Sequence, residues 1–177
     1  MPIKKTDNKN LILELINLID NTKRQVVSQV NSSMTLLFWN VGNRILTHNL
    51  KHQRAEYGKQ IVVTVSRELV AKYGRNYEEK NLRRMIQFAE VYSDFEKVVT
   101  LSRHLSWSHF LALIPLENEN KRNFYSSIVS DKLISVRELR KLISKKTFER
   151  TEKANIQLYN SNIAEGTFKD PYMLDFL

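Results

Sequence analysis

Four glycines and three prolines are all that this chain of 177 residues offers for turns. An all-β fold needs a turn residue every few positions, so that scarcity argues against one. The apolar residues agree, recurring at intervals of three and four along most of the chain. The expected class is all-α: a multi-helix domain with long N-terminal helices. Hydrophobic residues make up 42% of the chain and charged residues 27%, enough to fill a core of ordinary size.

The clearest local pattern runs from Ile61 to Val91. Val62, Val65, Leu69 and Tyr73 recur at helical spacing, with Arg67, Glu68 and Lys72 pointing elsewhere. Gly74 follows, where a helix end favours a residue that tolerates a left-handed backbone. Leu82, Met85, Ile86 and Ala89 then form the apolar stripe of a second helix, leaving Lys80, Arg83, Arg84 and Gln87 on the opposite side. Two amphipathic helices joined by a short turn with glycine, the second basic on its outer face, is the pattern of a helix-turn-helix unit. A plain helical hairpin with a solvated charged face shows the same pattern.

Charge gives that unit a direction. Lysine and arginine number 28 against 19 aspartates and glutamates, a net charge of +9. Such an excess on a helical domain favours a polyanionic partner, nucleic acid first and a membrane surface second. The absence of cysteine excludes disulfides, thiolate zinc sites and cysteine nucleophiles. The opening MPIKKTDNKN has no signal-peptide core behind it, and no apolar run reaches the ~18 residues of a spanning helix. A cytoplasmic protein with no membrane partner is expected.

Residues 1–8 read as a disordered lead-in. From Lys9 a helical pattern places Ile12, Leu15, Ile16, Ile19, Val26 and Val30 near one side. Asn31, Ser32 and Ser33 interrupt it weakly before Met34, Leu37, Phe38, Val41 and Ile45 resume it, as one bent helix or two. A band this wide calls for burial against other helices or against a second copy of the chain, a possible homodimer. Lys51 to Lys59 reads as a basic connecting loop. Its Arg54 could hold a backbone phosphate, although a plain surface loop fits better.

Short helices are expected over 94–102, over 106–114 with Ser106 as N-cap and Pro115 as terminator, and over 118–130. Their inward residues are Phe95, Val98, Val99 and Leu101, then Trp107, Phe110, Leu111 and Ile114, then Phe124, Tyr125, Ile128 and Val129. Ser135 to Glu138 forms a capping box that opens a last long helix. Val136, Leu139, Leu142 and Ile143 are its apolar face, with Arg137, Arg140, Lys141 and Ser144 turned away. Between Lys132 and Lys153 eight cations face three acids, so this segment is a second candidate polyanion surface, or else a solvated helix face. Residues 160–177 read as a linker or docking peptide.

RAEYGKQ (54–60), YGRNYEEKNLRRMIQF (73–88), TLSRHLSWSHF (100–110), RNFY (122–125), SVREL (135–139) and KDPYMLDFL (169–177) carry a further signal. With them the chain resembles the N-terminal domain of the YhcG-type family of bacterial proteins. Members of that family typically join a helical N-terminal domain to a C-terminal PD-(D/E)xK nuclease domain. The resemblance implies a helix-turn-helix-like or winged-helix-like DNA-binding module over 9–159, with 160–177 as the linker that leads to the nuclease domain in relatives. Two positions depart from the family pattern. Glu78 stands where a serine N-cap is usual, and Ile134 where an aromatic precedes Ser-Val-Arg.

No catalytic constellation emerges. Glu78-Glu79-Lys80 copies a fragment of the nuclease motif, but no acidic strand precedes it, and helix-dipole chemistry explains it better. His48 and His52 share helical spacing without a third ligand. His104 and His109 flank Trp107, where packing or capping is the simpler role. No enzyme centre, metal or cofactor is therefore expected in this chain. The expected partner is duplex DNA, held by Arg54, Arg75, Lys80, Arg83, Arg84, Gln87, Arg137, Arg140 and Lys141. The alternative is an interaction or oligomerisation domain that does not touch nucleic acid.

Overall fold

The computed structural model describes the backbone of residues 5–52 and 55–167, and the side chains of 8–48 and 60–157. Eight α-helices and no strand occur among these residues, so the all-α class holds and no β-wing is formed within them. α1 (Lys5–His52), α2 (Ala55–Tyr73) and α3 (Glu79–Val91) come first, with a 3₁₀ turn at Arg75–Tyr77 between the last two. Then follow α4 (Phe95–Ser102), α5 (Trp107–Leu113), α6 (Glu119–Lys132), α7 (Val136–Ser144) and α8 (Thr147–Thr167).

α1 begins before Lys9 and is one unbroken helix of 48 residues, about 72 Å long at 1.5 Å per residue. The polar stretch at Asn31–Ser33 is no interruption. Thr35 donates its hydroxyl to the Asn31 carbonyl, and Ser32 meets Ser102 of α4 at 2.8 Å. These serines and threonines are where α1 lands on the body of the domain. The supposed loop over 51–59 is also largely helical in its backbone, since α1 runs to His52 and α2 starts at Ala55. Residues 1–4 of the expected lead-in, and 168–177 of the tail, lie outside the described residues.

The body is built on α3, whose axis is packed on several sides. Leu82 and Met85 join Phe38, Ile45 and Val62 in one apolar cluster. Phe88, Ala89 and Tyr92 belong to a second, with Trp39, Val98, Leu105, Phe110, Leu113, Tyr125, Val129, Leu139 and Phe148. The expected α3 stripe is therefore shifted: Phe88 is wholly buried, while Ile86 is only half-buried. Phe88 sits among Phe110, Trp107 and Tyr92 at centroid distances of 4.7, 5.4 and 5.5 Å. The Trp39 indole N–H donates to the Tyr92 carbonyl at 2.7 Å, fastening α1 to the end of α3.

Gly42 makes the α1–α3 crossing possible. A methyl group in place of its hydrogen would fall on the Met85 carbonyl group and lie 2.9 Å from the Ile86 amide nitrogen. The helices thus touch backbone to backbone at this point.

The helix ends follow the sequence closely. Asp94 and Asn118 accept from the backbone N–H groups of Lys97 and Lys121. The Ser135–Glu138 capping box forms as written, with the Ser135 amide donating to Glu138 at 2.8 Å. That bond, with the one from the Ser135 hydroxyl, holds the Glu138 carboxyl below the usual carboxylate range. The long final helix, by contrast, is two helices. Lys146 takes a left-handed backbone at φ 53, so α7 stops and α8 starts in a new direction. The break turns Phe148 into the core and brings its backbone N–H to the Tyr125 hydroxyl. α8 also carries helical backbone into the stretch read as a linker.

Among the described residues, His109 is the one buried imidazole. Its Nδ1 accepts from the Ser106 amide at 3.1 Å, leaving Nε2 as donor to the Ile134 carbonyl, also 3.1 Å away. It caps α5 and ties it to the start of α7, as a neutral ring. Burial pushes its pKa below the ordinary 6.5, against a smaller opposing effect of the Ile134 carbonyl. The unfolded chain therefore takes up this proton first as pH falls. Stability is expected to be level above about pH 6.5 and to decline below it. The decline should start well before the carboxylates Glu119, Glu138 and Glu149 begin to matter, because their pKa values are lowered from 4.5. Urea midpoints between pH 7.5 and 5.5 should fall for the native chain and fall less for His109→Gln.

Candidate nucleic-acid interface

The α2–α3 unit forms around a turn of five residues. Gly74 adopts φ 87, where a side chain would be strained, and the turn closes through Tyr77 and Glu78 amides donating to the Gly74 and Arg75 carbonyls. Ser66 of α2 donates its hydroxyl to the Tyr77 carbonyl at 3.1 Å, locking the turn onto the first helix. Within α2, Val62 is buried, Val65 and Leu69 are half-buried, and Tyr73 is exposed. The Tyr73 ring leaves the core to lie against Tyr77, with the Lys72 ammonium 5.3 Å from its centroid. Glu78, the N-cap of α3, makes no side-chain cap bond. A serine in this place accepts such a bond readily, whereas glutamate offers only its charge to the positive helix end.

Of the nine residues expected at an interface, Arg54 lies outside the described residues. Arg75 is exposed in the 3₁₀ turn. Lys80, Arg83 and Gln87 are exposed along one side of α3, whereas Arg84 is half-buried. That difference follows from the packing of α3 on several flanks, which leaves a narrow outward strip. Arg83 is held 3.4 Å from Glu79, one turn back, in a solvated pair; such pairs contribute little. Over 75–91 four cations meet three acids, so α3 is less basic than its arginines suggest.

Arg137, Arg140 and Lys141 are all exposed on α7, on the side opposite buried Leu139. They lie on a separate helix, joined to α3 through α5, which packs against both. Lys145 and Lys146 extend the same edge into the turn before α8. None of these α7-edge cations makes an ion pair within 4.0 Å; the described pairs are Arg83–Glu79, Lys97–Glu119 and Lys121–Glu149. The one acid of α7, Glu138, is engaged in its own cap. α7 is thus the more strongly basic of the two surfaces, a ranking that counting charges over 132–153 suggested only in outline.

No group of three or more metal-ligating side chains occurs among the described residues. Glu79 of the motif-like triplet is taken by Arg83. His48 lines a groove between α1 and α2 with Arg44, Gln60 and Thr64, and the His52 side chain lies outside the described residues. No described helix is long and apolar enough to cross a membrane.

The described residues form an all-α domain with a hairpin of amphipathic helices at its centre and cations along its α3 and α7 edges. The model of the DUF1016 N-terminal domain matches residues 14–150, and the chain belongs to that family. The matched range takes in the whole packed body and the inner part of α1. The chain is also 26% identical, over 202 aligned positions, to a protein of Escherichia coli strain K12 named "Putative nuclease YhcG". That alignment covers 92% of this chain and 54% of the relative, so the chain spans about half the length of the curated relative it matches. No solved structure matches it significantly.

Proposed function

We propose that this chain is the DNA-binding module of a nuclease-family protein and acts in the cytoplasm. The observation that carries the proposal is the unpaired, exposed row Arg137, Arg140 and Lys141. Cations with no acid within ion-pair distance are available to neutralise phosphates, and phosphate contacts supply most non-specific DNA affinity. α2 and α3 act as a helix-turn-helix, with Lys80, Arg83 and Gln87 as the side chains able to reach a groove. Arg75, Arg84 and Arg54 support them at the backbone. Residues 9–159 form the binding domain and 160–177 the linker. The chemistry of strand cleavage belongs to a domain outside this chain.

The pair Arg83→Ala with Arg84→Ala tests the α3 part. Affinity for duplex DNA should fall by about tenfold or more, at about 1 kcal/mol per contact. Undiminished affinity in the folded double variant would remove α3 from the interface.

A second feature favours self-association alongside DNA binding. Every described residue of α1 from Asn8 to Asn31 is exposed. Ile12, Leu15, Ile16, Ile19, Val26 and Val30 stand 47–56% exposed on one side of the helix. The body of the domain therefore does not bury this band. A contiguous apolar stripe of that length exceeds what monomers leave open, and its three- and four-residue intervals suit a coiled coil with a second copy. Helix-turn-helix proteins commonly dimerise to span two half-sites. Light scattering should give a dimer for the native chain and a monomer for Ile16→Lys with Ile19→Lys. A monomeric native chain would end this reading.

A further inference from the structure

A crevice of about 430 Å³ opens where α1 passes the junction of α4 and α5. Lys23 and Arg24 line it from α1, and Arg103 and His104 from the end of α4. Ser28, whose hydroxyl donates to the Arg103 carbonyl at 3.4 Å, and Ser102, paired with Ser32 at 2.8 Å, also line it. Arg24 is braced by bonds to the Asn21 side chain at 2.8 Å and the Asp20 carbonyl at 3.3 Å.

No aspartate or glutamate lines this crevice, and neither Lys23, Arg24 nor Arg103 makes an ion pair. Arg103 and His104 alone would have a plain explanation, since cations complement the negative end of a helix. That explanation does not reach Lys23 and Arg24 on the facing wall. Three permanent positive charges gathered around one concavity repel one another, and a multiply charged anion reverses the sign of that interaction. Arginine guanidinium groups donate to a tetrahedral oxyanion in pairs, and Ser106, its hydroxyl 2.9 Å from His109 Nδ1, also lines the crevice.

We propose that this crevice is a phosphate-binding site, separate from the α3 and α7 surfaces. Its ligand is a phosphate group, either the free anion or the terminal phosphate of a nucleic-acid strand. The second source rests on the DNA-binding reading; the site itself does not. Residues of both walls close on the anion, so occupancy also clamps the inner half of α1 to the body.

Inorganic phosphate is the first probe, compared with chloride at equal ionic strength on the full chain. Phosphate should raise the melting temperature and move the amide NMR signals of Arg103 to Ser106. Arg24→Gln with Arg103→Gln, both exposed positions, should keep the native circular dichroism and weaken phosphate binding by at least about tenfold, the loss of charge-assisted bonds. Equal responses to phosphate and chloride, or an unchanged response in the double variant, would overturn the site. Arg83→Ala with Arg84→Ala should leave the phosphate response intact even if duplex binding is lost, which separates this proposal from the previous one. Oligonucleotides with and without a 5′-phosphate give the second arm. A preference for the phosphorylated strand that vanishes in Arg24→Gln with Arg103→Gln assigns the site to strand ends. No preference, with phosphate still bound, overturns the strand-end source and keeps the free anion.

Discussion

Gly42→Ala should destabilise this protein by about 2 kcal/mol, although the same change in an open helix would stabilise it. Alanine is better than glycine in a helix interior by about 1 kcal/mol. Gly42, however, is buried against α3, and its added methyl would strike the Met85 carbonyl. Overpacking of this kind typically costs about 1–3 kcal/mol, occasionally more, and here the obstacle is backbone rather than a flexible side chain. The two effects oppose each other, so the sign of the measured change decides between them. A urea titration that shows a lower midpoint with an unchanged slope supports the tight crossing. A stabilised variant would mean that α1 and α3 stand further apart.

Phe88→Ala should have the largest effect on stability of any single change in the body. The ring is fully buried and touches three other aromatics, Tyr92 just after α3 and Trp107 and Phe110 of α5. Removing a buried phenylalanine costs about 3–5 kcal/mol, from lost transfer energy and the cavity left behind. Small domains hold only about 5–15 kcal/mol in total, so the variant should lose a large share of the native stability. Phe88→Leu should lose clearly less. If both variants lost under about 1 kcal/mol, a range usual for surface substitutions, Phe88 would not be the centre of the core.

Neither residue stood out in the sequence, for related reasons. A lone glycine inside an amphipathic run looks like a mild defect. Its value at Gly42 depends on a helix more than forty residues away. Phe88 falls outside the four-residue stripe because that stripe assumes a helix buried on one side, and α3 is buried on several. Local signals served better where the chemistry is local. The Ser135–Glu138 box and the Gly74 stop need only neighbours in sequence, and both are present. The break at Lys145–Lys146 was illegible because the left-handed residue is a lysine, held there by the burial of Phe148 rather than by glycine.

The candidate interface divides the same way. Exposure of Lys80, Arg83, Gln87 and the α7 row follows from helical phase, which a sequence shows. The half-burial of Arg84, the pairing of Arg83 with Glu79 and the gathering of Lys23, Arg24 and Arg103 depend on how helices pack. Those are tertiary facts, and net charge does not contain them.

Binding of a short duplex, followed by fluorescence anisotropy between about 50 and 200 mM salt, tests the DNA-binding proposal most directly. The affinity should fall linearly with salt on logarithmic axes, with a slope of about −4 or steeper, as expected when four or more phosphates are neutralised. A folded protein that fails to bind duplex DNA at the lowest salt, or binds with a slope near zero, would contradict the proposal.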